Sequence, residues 1–231
     1  ESRRAVLRLS DVVEHQVVLD EPDKYPLLRT LQADEELDGE KLFPAYAAVK
    51  REREKTLGEL FDKHGQELRF NTRLQDARYY DADFDKTTFT RLYPFLPAHF
   101  DILLHLLGAL AKSTGGIGLR SAIKVIQDIL IEGPEGQKPV ADQPVGWLAT
   151  TVTLYDALEK DIRRAAPSIH AAVEKAAIRF PDATLHLEVA KTVAVLQILG
   201  NMPVTRQNVT SLTHPGVDAA SRYAGVAAAV D

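Results

Sequence analysis

The stretch Ser113-Thr114-Gly115-Gly116-Ile117-Gly118-Leu119-Arg120 has the residue types and spacing best suited to ligand chemistry. A glycine-bearing loop that feeds a helix presents free backbone N–H groups and the positive end of the helix dipole, both suited to an anion. Gly116 and Gly118 lie in that loop, and Arg120, in the first turn after it, could offer a bidentate guanidinium fork to a phosphate held by another domain. Arginine in a first helical turn opposes the dipole, a local conflict of the kind found at functional positions. On spacing alone, a glycine loop beside a surface arginine is the simpler account.

Other constellations carry less. Val17-Val18-Leu19-Asp20-Glu21 imitates a nucleotide-binding strand that ends in magnesium-holding carboxylates, but G-x-x-x-x-G-K-[ST] occurs nowhere in the chain. Asp81-Ala82-Asp83-Phe84-Asp85 imitates the opening of a calcium loop, yet the sixth and twelfth positions are Lys86 and Leu92 rather than glycine and glutamate. Helix capping and solvation of a polar connector explain it better. The histidines (15, 64, 99, 105, 170, 186 and 214) form no i, i+4 pair and no H-E-x-x-H, and G-x-S-x-G is absent. The chain therefore shows no apparatus for catalysis on its own.

The elements that must position these residues read as helices. Apolar residues recur at helical spacing from Tyr46 to Leu68, and again at Leu103, Leu104, Leu107 and Leu110 behind Pro97. Further stripes run through Ile123, Ile126, Ile129 and Leu130, through Leu148 to Ile162 starting near Pro144, through Ile169 to Ala177, and through Leu187 to Ile198. The best strand signal is Ala5–Leu9, before a helix-start signature at Ser10–Glu14. Breaks at 19–42, 76–86, 133–143 and 180–182 suggest two subdomains divided near 133–143. The predicted fold class is mostly α. Near the C-terminus, a helix at 187–199, a short helix at 206–213, a turn at Thr213-His214-Pro215-Gly216 and an Ala-rich helix at 217–230 give a helix-turn-helix outline. Its last helix has only Arg222, Ser221 and Tyr223 among alanines, so it reads as a packing or protein-contact module rather than a base reader.

Composition agrees with an ordinary globular chain. The 231 residues are 45% hydrophobic and 26% charged, with a net charge of −5. Residues 1–90 hold 15 Lys/Arg against 20 Asp/Glu, 91–180 hold 10 against 9, and 181–231 hold 3 against 4, so no segment has the basic excess of a phosphate-backbone binder. Zero cysteines exclude disulfides, thiolate metal sites and cysteine nucleophiles. No run of ~18 apolar residues suggests a membrane span, which makes the cytoplasm the default location. The start at Glu1 and a single methionine, Met202, suggest a fragment or a processed product.

The runs Gln66–Leu74 and Phe89-Thr90-Arg91-Leu92-Tyr93-Pro94-Phe95-Leu96-Pro97 resemble the large P-loop ATPases of bacterial phage-defence islands, the BREX and phage-growth-limitation (BrxC/PglY-like) family. In that family a Tyr-Pro-aromatic-Leu-Pro segment opens a long helix, and a glycine loop, an arginine and another helix follow, here Gly115–Ile123. Pro144–Tyr155 and Ala190–Pro215 are similar to later helical stretches. The resemblance covers residues 5–10 and 50–215 in separated blocks. It implies an AAA+-like ATPase fragment that lacks the phosphate-binding loop: a last strand and helix of the core at 1–20, a connector at 21–45, a helical lid at 46–132, and a helix-turn-helix-like module at 144–231. Arg120 would be a sensor of the γ-phosphate, with Gly116 and Gly118 beside it, and Arg3 or Arg4 would lie near an arginine-finger position. ATP and magnesium would be held mainly by the missing core, with none bound by the isolated fragment. Implied partners are the rest of the ATPase, other phage-defence proteins and further copies of the chain. Nucleic acid is not supported by charge, and no membrane is implied. A helical protein-interaction adaptor and a winged-helix-like DNA-binding module remain the alternatives.

Overall fold

The computed structural model describes residues 44–77, 80, 83–114, 119–133 and 138–230. The chain divides into two compact units, Glu1–Leu57 and Gly58–Asp231. The strand expected at Ala5–Leu9, Arg3 and Arg4, and the 21–43 connector lie outside the described residues. Among the described residues ten α-helices and no strand are found: α1 (Pro44–Asn71), α2 (Lys86–Leu92), α3 (Pro97–Thr114), α4 (Leu119–Gln127), α5 (Thr151–Ala157), α6 (Glu159–Ala165), α7 (Pro167–Arg179), α8 (Thr184–Leu199), α9 (Arg206–Leu212) and α10 (Tyr223–Val230). The fold is mostly α. A π-helical turn, Asp128–Glu132, continues α4, and a 3-10 turn spans Val140–Asp142.

Local chemistry sets the helix ends. Asp85 caps α2, its carboxylate accepting the Thr88 N–H at 2.8 Å, so this part of the acidic run serves the backbone. Pro97 and Pro167 open α3 and α7 at a position where no N–H is needed. Thr205 caps α9 through the Asn208 N–H at 3.1 Å. Gly200, at φ 67°, closes α8 in the left-handed conformation that a glycine adopts without a Cβ clash.

Packing centres on α8, which touches α3, α5, α7, α9 and α10. Its Val189, Ala194, Val195 and Leu196 are buried, and a helix apolar on most of its circumference belongs inside a core. Against it lie Ile102, Leu103, Leu106 and Leu110 of α3, with Leu154, Tyr155 and Leu158 of the α5 region. This single core takes residues from both sides of the 133–143 break.

Several expected elements are redrawn. Leu104 and Ile123 are exposed, 42% and 53%, because the buried stripes run through Ile102, Leu103, Leu106 and through Val125, Ile129 instead. The helix expected from near Pro144 to Ile162 is two helices. Residues 146–149 are held in an extended crossing, Thr150 and Thr153 form a capping box that starts α5, and Leu158 breaks the run. The last helix starts at Tyr223 rather than 217, because the Val217 N–H is bound to the Gly146 carbonyl at 2.8 Å.

Candidate functional site

Arg120 is the second residue of α4, and the chain reaches it from Thr114 at the end of α3. Helices α3 and α4 pack against each other. Gly116 and Gly118 lie outside the described residues, as does the Arg120 side chain. Val125 and Ile129 are buried, which anchors the far half of α4 and its π turn in the core. Its first turn carries Arg120 where free N–H groups point outward.

At the opposite end of α3, about 27 Å away along an 18-residue helix, three sequence blocks converge. The Tyr93 hydroxyl accepts the Gly146 N–H at 2.9 Å, and the Pro94 carbonyl accepts the Ala149 N–H at 3.0 Å. The Leu148 N–H donates to Pro215 at 3.0 Å, and Trp147 and Gly216 form an isolated antiparallel bridge. Gly146 sits at φ 103°, and a Cβ on Gly216 would lie 3.3 Å from the Gly146 carbonyl oxygen. Both glycines are therefore required by the crossing. Tyr93–Pro97, Pro144–Leu148 and His214–Gly216, distant in sequence, make one junction.

Beneath the junction is a buried polar node that sequence reasoning missed. Leu212 ends α9, and its carbonyl has no partner within the helix. It accepts from His99 Nε2 at 3.2 Å and from the Thr151 hydroxyl at 3.1 Å. With its proton committed there, Thr151 accepts from Thr192 at 2.8 Å. One orphan carbonyl thus ties α3, α5, α8 and α9 together. Because a carbonyl only accepts, the His99 proton sits on Nε2 and Nδ1 is a bare acceptor; that atom has no hydrogen-bond partner. Burial pushes the His99 pKa down to about 4, against the raising effect of the Leu212 carbonyl and aided by His214. His214 is also lowered, by burial first and then by Arg222, against the raising pull of the Gly216 backbone and of Glu67.

Asn208 makes a second staple. Its amide accepts the Gln75 N–H at 2.7 Å and donates to the Gln75 and Pro203 carbonyls, each at 2.9 Å. Together with the Ser211 hydroxyl donating to the Arg73 carbonyl at 2.8 Å, it fixes residues 73–75 on α9. A histidine two residues after a helix-opening proline, inside an apolar stripe, was the only hint of His99 in the sequence; for Asn208 there was none.

The last helix, Tyr-Ala-Gly-Val-Ala-Ala-Ala-Val, carries no Arg, Lys, Asn or Gln, and ten residues separate it from α9. Among the described residues no single helix is long and apolar enough to cross a membrane. No protein-family model, curated protein or solved structure matches the chain.

Proposed function

We propose that the chain is the lid-bearing helical part of a phage-defence P-loop ATPase of BREX or phage-growth-limitation type, closing on ATP and magnesium held by a core outside this sequence. The observation that carries the reading is the α3–loop–α4 arrangement: a long helix opened by Tyr93–Pro97, a packed second helix, and Arg120 in the latter's first turn. In this reading Arg120 reports loss of the γ-phosphate and couples it to lid movement, with Gly116 and Gly118 beside it in the sequence. The helices at 144–231 would follow the lid as a contact module for the rest of the ATPase, for other defence proteins or for further copies. A cytoplasmic location goes with it.

The test is ATP turnover of the full-length parent, wild type beside Arg120→Ala and Arg120→Lys. Turnover lost in Arg120→Ala, with thermal unfolding unchanged, supports the lid; wild-type turnover in both variants removes it. A second reading, a helical adaptor for protein partners, is favoured by the end of α7, where Ile178 is 80% exposed and Phe180 42% exposed. The adaptor predicts wild-type turnover in Arg120→Ala. A DNA-reading module has less support, since α10 lacks base-reading side chains.

A further inference from the structure

A cleft of about 540 Å³ opens between the C-terminal end of α1 and the start of α3, within the second unit. Arg69, Arg73, Tyr80, Asp83, Phe84 and His99 contribute to its walls. It does not involve Arg120 and is independent of the lid reading.

Two of its groups lack partners. The Arg73 side chain is exposed and makes no ion pair among the described residues, while its own backbone and that of Gln75 are pinned to α9 by Ser211 and Asn208. An unpaired guanidinium on a fixed backbone is ready for an oxyanion. His99 is 1% exposed, its Nε2–H is spent on Leu212, and Nδ1 has no partner. That nitrogen is sealed from the cleft, so the imidazole contributes wall and no hydrogen bond to an occupant. Arg69 stands 3.6 Å from Asp83, so a second guanidinium and a carboxylate meet at the same rim. Tyr80 is turned away to Asn201, leaving its ring as wall.

The donor and acceptor pattern restricts the occupant. A bare inorganic anion would use the arginines but leave most of the cleft and the Phe84 wall without contact. A metal cation would face two guanidiniums, and an apolar molecule would leave Arg73 unmet. The volume is far above that of one phosphate ion and falls in the range of small-molecule sites, ~300–1,000 Å³. We propose that this cleft binds a hydroxylated phosphate ester of sugar-phosphate or nucleoside-monophosphate size. Its phosphate lies on Arg73, assisted by Arg69, its hydroxyl groups donate to Asp83, and its carbon skeleton lies against Phe84.

Calorimetric titration of the full 231-residue chain with ribose 5-phosphate, adenosine monophosphate, adenosine and inorganic phosphate tests this. One ester is expected to bind with one-to-one stoichiometry, about ten-fold or more tighter than inorganic phosphate or adenosine. Equal binding of the two esters would assign the sugar phosphate as the recognised part; tighter binding of adenosine monophosphate would add the base. Arg73→Gln, at an exposed position, should keep the wild-type melting temperature and weaken the ester about ten-fold or more. Asp83→Asn should weaken it less. No heat from either ester at millimolar concentration, inorganic phosphate binding as well as the esters, or unchanged binding in Arg73→Gln would each overturn the proposal.

Discussion

At its N-terminal end α3 begins in a junction built on internal hydrogen bonds: Tyr93 on Gly146, Pro94 on Ala149, His99 and Thr151 on Leu212. At its C-terminal end it leads through a glycine loop to Arg120, on a helix anchored by its far half. The first end uses polar chemistry to hold helices together. The second spends an arginine where the helix dipole opposes it. Polar groups satisfied within the chain belong to stability, and an exception to local preference is where a ligand belongs. Substitutions at the two ends should therefore separate cleanly into losses of stability and losses of activity.

The largest stability loss is expected from Asn208→Ala. It removes three hydrogen bonds from a fully buried amide and leaves the Gln75 N–H and carbonyl without their partner, while the Pro203 carbonyl keeps the Thr205 N–H. Buried groups left unmet cost ~1–3 kcal/mol each, so a loss of about 3 kcal/mol is expected by urea denaturation. A loss under about 1 kcal/mol would mean that water replaces the amide and that the staple is dispensable.

Acid should attack the same end. The His99 pKa falls from 6.5 unfolded to about 4 folded. Between those values the unfolded chain binds a proton that the folded chain refuses, so stability rises with pH across this window. The contribution is complete above pH 6.5, falls as pH drops toward 4, and amounts to about 3 kcal/mol. His214, lowered by burial and by Arg222, adds in the same direction. In His99→Gln, which can still donate to Leu212, the unfolding free energy should lose much of its slope between pH 6.5 and 4. An unchanged slope would assign the acid sensitivity to carboxylates elsewhere.

How much of this could be read in the residues depends on the kind of interaction. Helices α3, α7 and α8 were legible because prolines, a terminal glycine and apolar spacing mark them directly. The late start of α10 was not, because it is imposed by Gly146, far away in sequence, and the break at Leu158 has no glycine or proline to mark it. The polar node was the least legible of all. Its acceptor is a backbone carbonyl, which every residue possesses, so Leu212 carries no mark of its role. In the glycine loop and Arg120 the situation is reversed: their types are conspicuous, and nothing in spacing distinguishes a phosphate sensor from a surface charge.

A smaller effect tests whether the shared carbonyl is a true node. Thr151→Val keeps the shape but removes the hydroxyl between Leu212 and Thr192, leaving Thr192 without its acceptor. The expected loss is about 1–2 kcal/mol. Paired with His99→Leu, which removes the other donor, the loss should be non-additive, since both donors serve one oxygen. Simple addition would mean that the two bonds act independently.

The smallest stability effect is expected at Arg120, and it sharpens the comparison most. Removing Arg120 relieves an unfavourable charge at the positive end of a helix. Arg120→Ala should therefore stay within about 0.5 kcal/mol of wild type in urea denaturation. In the parent ATPase the same substitution should lower turnover about 100-fold, the scale of losing one charged donor from a developing phosphate charge. Stability and turnover falling together would make Arg120 a structural residue like those at the other end of α3. With both unchanged it is an ordinary surface charge, and the adaptor reading gains. Only an intact fold with lost turnover fits a residue placed against its own helix dipole for the sake of a phosphate elsewhere.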